Sequence, residues 1–186
     1  MTLFEYLAAA YTLLVSLAVA RLVFGLPAAV VRGRRYWVHL VFVAGFAFSL
    51  ALSFWSFWSY RDVAWTFPRF LLALASPALA LFMASTLVPA SPDQVASWRD
   101  FYYAVRARYF TAWIAAIVLV VLNTTLLVDM PLAHPARIGQ LAIAAIGVVG
   151  AASQSARVHA GLAVTLVAVQ SFAAWVIFRE PGSLAG

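Results

Sequence analysis

The residues of this chain that could do chemistry are few, mostly uncharged, and gathered at one depth. Ser53, Ser56, Asn123, Thr124, Gln140 and Gln170 each lie inside a long apolar stretch, toward the same end of it. Hydroxyls and amides facing lipid are disfavoured, so such groups are expected to line water or protein, and a shared cavity explains their common depth. Hydrogen bonding between neighbouring helices, worth about 0.6 kcal/mol per contact, is the competing explanation. Glu5, Arg61, Asp62 and Arg69 would form a charged rim just above these six. Arg61, Asp62 and Arg69 together could grip an anionic headgroup, as a lipid-processing enzyme would need. A salt-bridged loop accounts for the same residues without chemistry.

Arg21 is the one charge that falls cleanly within an apolar stretch, about five residues from its inner end and so roughly 7 Å deep by helical rise. A central arginine costs about 2.5–3.5 kcal/mol on insertion scales, but at this depth its long stem can snorkel to the interface. His39 and His159 begin two apolar stretches at one depth, which makes an axial haem pair conceivable. No carboxylate stands ready to orient either ring, and interfacial histidines bonded to backbone or water are commoner. His134, between Leu132 and Pro135, has no partner ligand in sequence.

Whole classes of chemistry are excluded. All 12 basic residues are arginine, so no lysine amine can form a Schiff base, and without cysteine there is no thiolate chemistry or thiolate metal site. No zinc-protease, nucleophile-elbow or phosphate-loop motif occurs, and no paired carboxylates lie inside an apolar stretch. No cofactor is expected. The arginine-for-lysine, alanine-rich usage suggests a GC-rich bacterial genome.

The elements that must position these residues follow from composition. Hydrophobic residues make up 66% of the chain and charged residues 10%, more apolar surface than a water-soluble domain of 186 residues can bury. About 20 apolar residues cross a ~30 Å hydrocarbon core. Six stretches approach that length: 3–26 (stopped by Pro27), 37–60, 67–88, 109–128, 136–153 and 159–178, the last ended by Arg179-Glu180-Pro181-Gly182. The expectation is an all-α, polytopic integral membrane protein, a six-helix bundle forming one membrane domain over residues 1–186.

Between spans three and four, Ser91-Pro92-Asp93-Gln94 has the signature of a helix start. Val95, Trp98, Tyr102, Val105 and Tyr109 then recur at helical spacing, with arginines largely elsewhere on the wheel. This predicts an amphipathic helix over 92–108 lying in the interface, its apolar face toward the acyl boundary. Ser49, Ser53 and Ser56 form a small-residue stripe on span two. Gly139, Gly147, Gly150 and Ala151 do the same on span five, suiting close packing or contact between copies of the chain. Pro77 withholds a donor from Ala73 and marks span three as a candidate hinge.

Orientation follows from arginine counting. The connections after spans one, three and five hold Arg32, Arg34, Arg35, Arg99, Arg106, Arg108 and Arg157, whereas the opposite side holds Arg61, Arg69, Arg137 and Arg179. The positive-inside rule places the richer side in the cytoplasm and both termini outside it. The net charge of +6 is thus expected to face lipid headgroups rather than nucleic acid. Taken together, these features suggest a small permeation or transport protein of a bacterial inner membrane, with the lipid bilayer and further copies of itself as expected partners. The alternatives are a membrane-embedded enzyme or haem-type electron carrier, and an accessory subunit without chemistry.

Overall fold

A computed structural model describes residues 2–176, which form six α-helices and, among the described residues, no strand. They are α1 (Leu3–Ala29), α2 (Trp37–Ser56), α3 (Phe67–Leu87), α4 (Trp98–Leu126), α5 (Ala136–Ala152) and α6 (Ala156–Val176). A 3-10 turn over Phe57–Tyr60 extends α2, and another over Pro92–Gln94 precedes α4. Residues 177–178 of the expected sixth span, and the 179–182 segment expected to end it, lie outside the described residues.

Five helices are long and apolar enough to cross a membrane, and their outer faces carry exposed Leu13, Phe24, Leu71, Val164 and Phe172. The sixth, α5, has 17 residues and spans about 26 Å, slightly under a hydrocarbon core.

Local signals explain the helix ends. Thr2 accepts a bond from the Glu5 amide while Glu5 reaches back to the Thr2 amide at 2.8 Å, a complete capping box. Pro27 does not stop α1, which continues to Ala29. In the final turn a proline withholds one donor, from the Val23 carbonyl, and the Val30 amide still closes on Leu26 at 3.1 Å.

The interfacial helix expected over 92–108 does not form as a separate element. Arg34 Nη1 donates to the Asp93 and Val95 carbonyls, at 2.9 and 3.1 Å, and holds this segment as a loop. Ser97, not Ser91, caps the following helix by accepting from the Asp100 amide. From Trp98 onward α4 is continuous for 29 residues. Its aromatic face is buried in protein rather than turned to the acyl boundary: Trp98, Tyr102 and Tyr109 are fully covered, and Trp98 Nε1 donates to the Ala28 carbonyl at 3.1 Å.

The helices pack as a closed ring in the order α1, α3, α4, α5, α6, α2 and back to α1. Gly147 and Gly150 let α5 approach α4. A methyl on Gly150 would sit 2.6 Å from the Phe110 ring, and one on Gly147 2.9 Å from Trp113. Two of the four small residues on this face of α5, Gly147 and Gly150, are therefore packed against α4 of the same chain. On α2, Gly45 likewise meets Leu166 of α6.

Candidate functional site: a polar cavity in the ring

The ring is filled unequally. The end carrying the α1–α2 connection is packed with aromatic rings from α2 and α4. Phe42 meets Phe110 edge-on at 5.2 Å, Tyr109 meets Phe110 at 5.2 Å and Trp113 at 5.6 Å, and Tyr102 meets His159 at 5.3 Å. The end carrying the chain's amino terminus instead holds a cavity of about 220 Å³, to which all six helices contribute. At about 30 Å³ per water, that is on the order of seven waters.

All six polar residues singled out above border this cavity. Ser49, Ser59, Tyr11 and Ser76 join them. The wall is partly braced by its own hydrogen bonds. Gln170 Nε2 donates to the Gly45 carbonyl at 2.8 Å and to Ser49 Oγ at 2.6 Å, tying α6 to α2. Asn123 Nδ2 donates to Ser76 Oγ at 3.0 Å and to the Leu119 carbonyl at 2.8 Å, tying α4 to α3. The Tyr11 and Ser53 hydroxyls bond one another, and Ser56 donates to the Ser53 carbonyl at 3.0 Å.

The bracing leaves groups over. Asn123 Oδ1 and Ser59 Oγ are buried without a protein partner. Pro77 has no amide hydrogen for the Ala73 carbonyl, and Ala73 borders the same space. Asn123 Oδ1 and Ser59 Oγ are covered by neighbouring side chains, and it is the half-buried Gln140 amide that is left to a water or polar solute.

In sequence Arg137 counts as a connecting-segment charge, yet its guanidinium bonds two residues of the cavity wall, Thr124 and Gln140. It is 8% exposed, and its guanidinium meets five neutral oxygens. Nη1 donates to Thr124 Oγ1 at 2.7 Å and Gln140 Oε1 at 2.9 Å; Nη2 donates to Thr125 Oγ1 at 2.7 Å and the Met130 carbonyl at 2.9 Å; Nε reaches the Pro131 carbonyl at 3.4 Å. No carboxylate among the described residues pairs with it. The Met130 carbonyl is within reach because the chain turns back at Asp129 (φ 54°) and the Met130 amide closes on Thr124. The available sequence signal was the i, i+3 spacing of Arg137 and Gln140, which puts both on one face of α5.

None of the four expected rim residues borders the cavity. Glu5 caps α1, Arg61 Nε pairs with Asp62 Oδ2 at 3.0 Å, and Arg69 Nη1 donates to the Ala64 carbonyl at 2.9 Å. Arg21 Nε donates to the Val88 carbonyl at 3.1 Å, where a cation complements the C-terminal end of α3. His134 Nδ1 accepts from the Ala136 amide at 3.2 Å and caps α5.

The two histidines do not make an axial pair. The His159 Nε2–H donates to the Ser153 carbonyl at 2.9 Å, so Nδ1 accepts from the Tyr102 hydroxyl at 2.7 Å, and neither nitrogen retains a lone pair for a metal. His39 stacks on Trp98 at 4.9 Å with both nitrogens unpartnered.

Fold and site together define an all-helical protein whose long apolar helices surround a polar pocket. Compared with known protein families, curated proteins and solved structures, the chain matches none.

Proposed function

We propose that this chain is a six-crossing inner-membrane protein that moves a small polar solute, with the cavity as its solute site. The reading rests on one observation: residues from all six helices border one space whose largely apolar wall carries serine, asparagine, threonine and glutamine side chains from five of those helices. The arginine bias supports placing this end, and the amino terminus with it, outside the cytoplasm. A tilt or a thinned bilayer accommodates the short α5.

The aromatic packing of Phe42, Tyr102, Tyr109, Phe110 and Trp113 closes the other end, which favours a gated carrier over an open channel. Passage requires that packing to rearrange, as in closure and opening around a fixed site.

The test is solute flux in proteoliposomes made with the wild-type chain, Asn123→Leu and Gln170→Leu. Both variants should insert, retain their helical content and lose at least tenfold in flux. Wild-type flux in both overturns the proposal.

A further inference from the structure

We infer that the cavity is selective for a small monovalent anion and rejects cations, with Arg137 as the residue that sets the sign. The inference deepens the proposal of a solute site and rests on it.

The electrostatic argument begins with what cancels. Three helix N-termini (α1, α3, α5) and the C-termini of α2 and α4 meet at this end, so their end charges of about half a unit largely offset one another. Glu5, Arg61, Asp62, Arg69, Asp129 and His134 also lie toward this end, but none borders the cavity. Arg137 is different. Two of its acceptors, Thr124 and Gln140, are wall residues, so the guanidinium sits one side chain behind the wall. The C-terminal end of α4 offsets only part of that charge. Buried charges are screened far less than exposed ones.

The donor pattern points the same way. Guanidinium can only donate, so Gln140 must turn its oxygen to Arg137, which leaves its amide NH2 without a protein acceptor. Ser76 accepts from Asn123 and keeps its own hydroxyl proton to give. The Tyr11–Ser53 pair uses one of its two protons. Free donors thus come from α2, α3 and α5, around a space of about 220 Å³ in which the Ala73 carbonyl freed by Pro77 is the opposing acceptor. Such a wall takes a small anion such as formate or bromide together with some of its waters. A buried arginine beside the space is also a barrier to cations.

The experiment uses the purified full-length chain in detergent. Sodium formate is titrated against thermal unfolding, with sodium lactobionate, a disaccharide acid larger than the cavity, as the ionic-strength control. Formate should raise the Tm over lactobionate, in proportion to the logarithm of its concentration once that exceeds the Kd. Gln140→Glu retains the oxygen that Arg137 holds but adds a countercharge, and should raise the Kd obtained from the Tm series at least tenfold. Arg137→Gln should do the same, and if it does not fold, Gln140→Glu carries the comparison. No formate-specific shift in the wild type, or equal binding by Gln140→Glu, overturns the inference.

Proteoliposomes then separate the two proposals. Formate binding without flux of any solute would sink the transport reading and leave the anion site standing. Rubidium flux equal to formate flux would sink the anion preference and leave transport standing.

Discussion

Gln170 of α6 donates through Nε2 to the carbonyl of Gly45 on α2, 2.8 Å away, and the same nitrogen reaches Ser49 Oγ. Gly45 makes the approach possible, because a methyl there would lie 2.8 Å from Leu166 Cδ2 and 3.2 Å from Gln170 Oε1. Gly45→Ala should therefore displace Gln170, destabilise the bundle by about 1–3 kcal/mol, and reduce solute flux. Thermal unfolding in detergent and proteoliposome flux measure the two effects; an unchanged Tm would show that Leu166 yields freely.

Glycines elsewhere should divide sharply. At Gly150 a methyl meets the flat of the Phe110 ring at 2.6–2.7 Å, whereas nothing lies within 4 Å of one built on Gly161. Gly150→Ala is expected to destabilise by about 1–3 kcal/mol through overpacking. Gly161→Ala should be neutral or stabilising by up to about 1 kcal/mol, since alanine is the better helix former. Tm values for the pair decide it, and similar shifts would contradict the tight α4–α5 seam.

The two buried histidines should respond in opposite directions. Replacing His39 by Phe retains a ring against Trp98 and removes two unpartnered nitrogens, so stability should hold or rise. Replacing His159 by Phe strands the Tyr102 hydroxyl and the Ser153 carbonyl, and should lower stability by about 1–3 kcal/mol. Denaturation of the two variants side by side checks the contrast.

Access to the cavity is testable because the natural chain has no cysteine. A single Ser56→Cys should react with a membrane-impermeant thiol reagent added from the side that holds the amino terminus. Ala163→Cys, at a fully buried position on α6, should stay unlabelled. Equal labelling from both sides would contradict the closed aromatic end.

The helices were legible because bilayer-length apolar runs need only composition to find. The expected stretch 67–88 and α3 differ by one residue, and 136–153 and α5 also by one. The six polar residues could be grouped by depth within their spans, but their meeting around one space depends on the ring order. Pattern along one helix does not encode which neighbour it packs against. The 98–109 aromatic spacing was ambiguous for a related reason, since a face turned to lipid and a face turned to protein carry the same periodicity. What decided it was Arg34 binding two carbonyls some sixty residues away, a contact no local pattern contains. Arg137 escaped because it stands one residue inside its helix, where an arginine resembles a flank.

The order of helices around the ring differs from their order along the chain, and this constrains biogenesis. Emerging second, α2 must wait beside α1 with its serines and the Gly45 carbonyl unattended until α6, the final helix of the described chain, arrives to seal the circle. Until that moment the polar groups of the interior line an open cleft rather than a closed cavity. A nascent chain stalled before α6 is thus an unfinished barrel with its wettest surface showing, the form that membrane quality control would be expected to intercept.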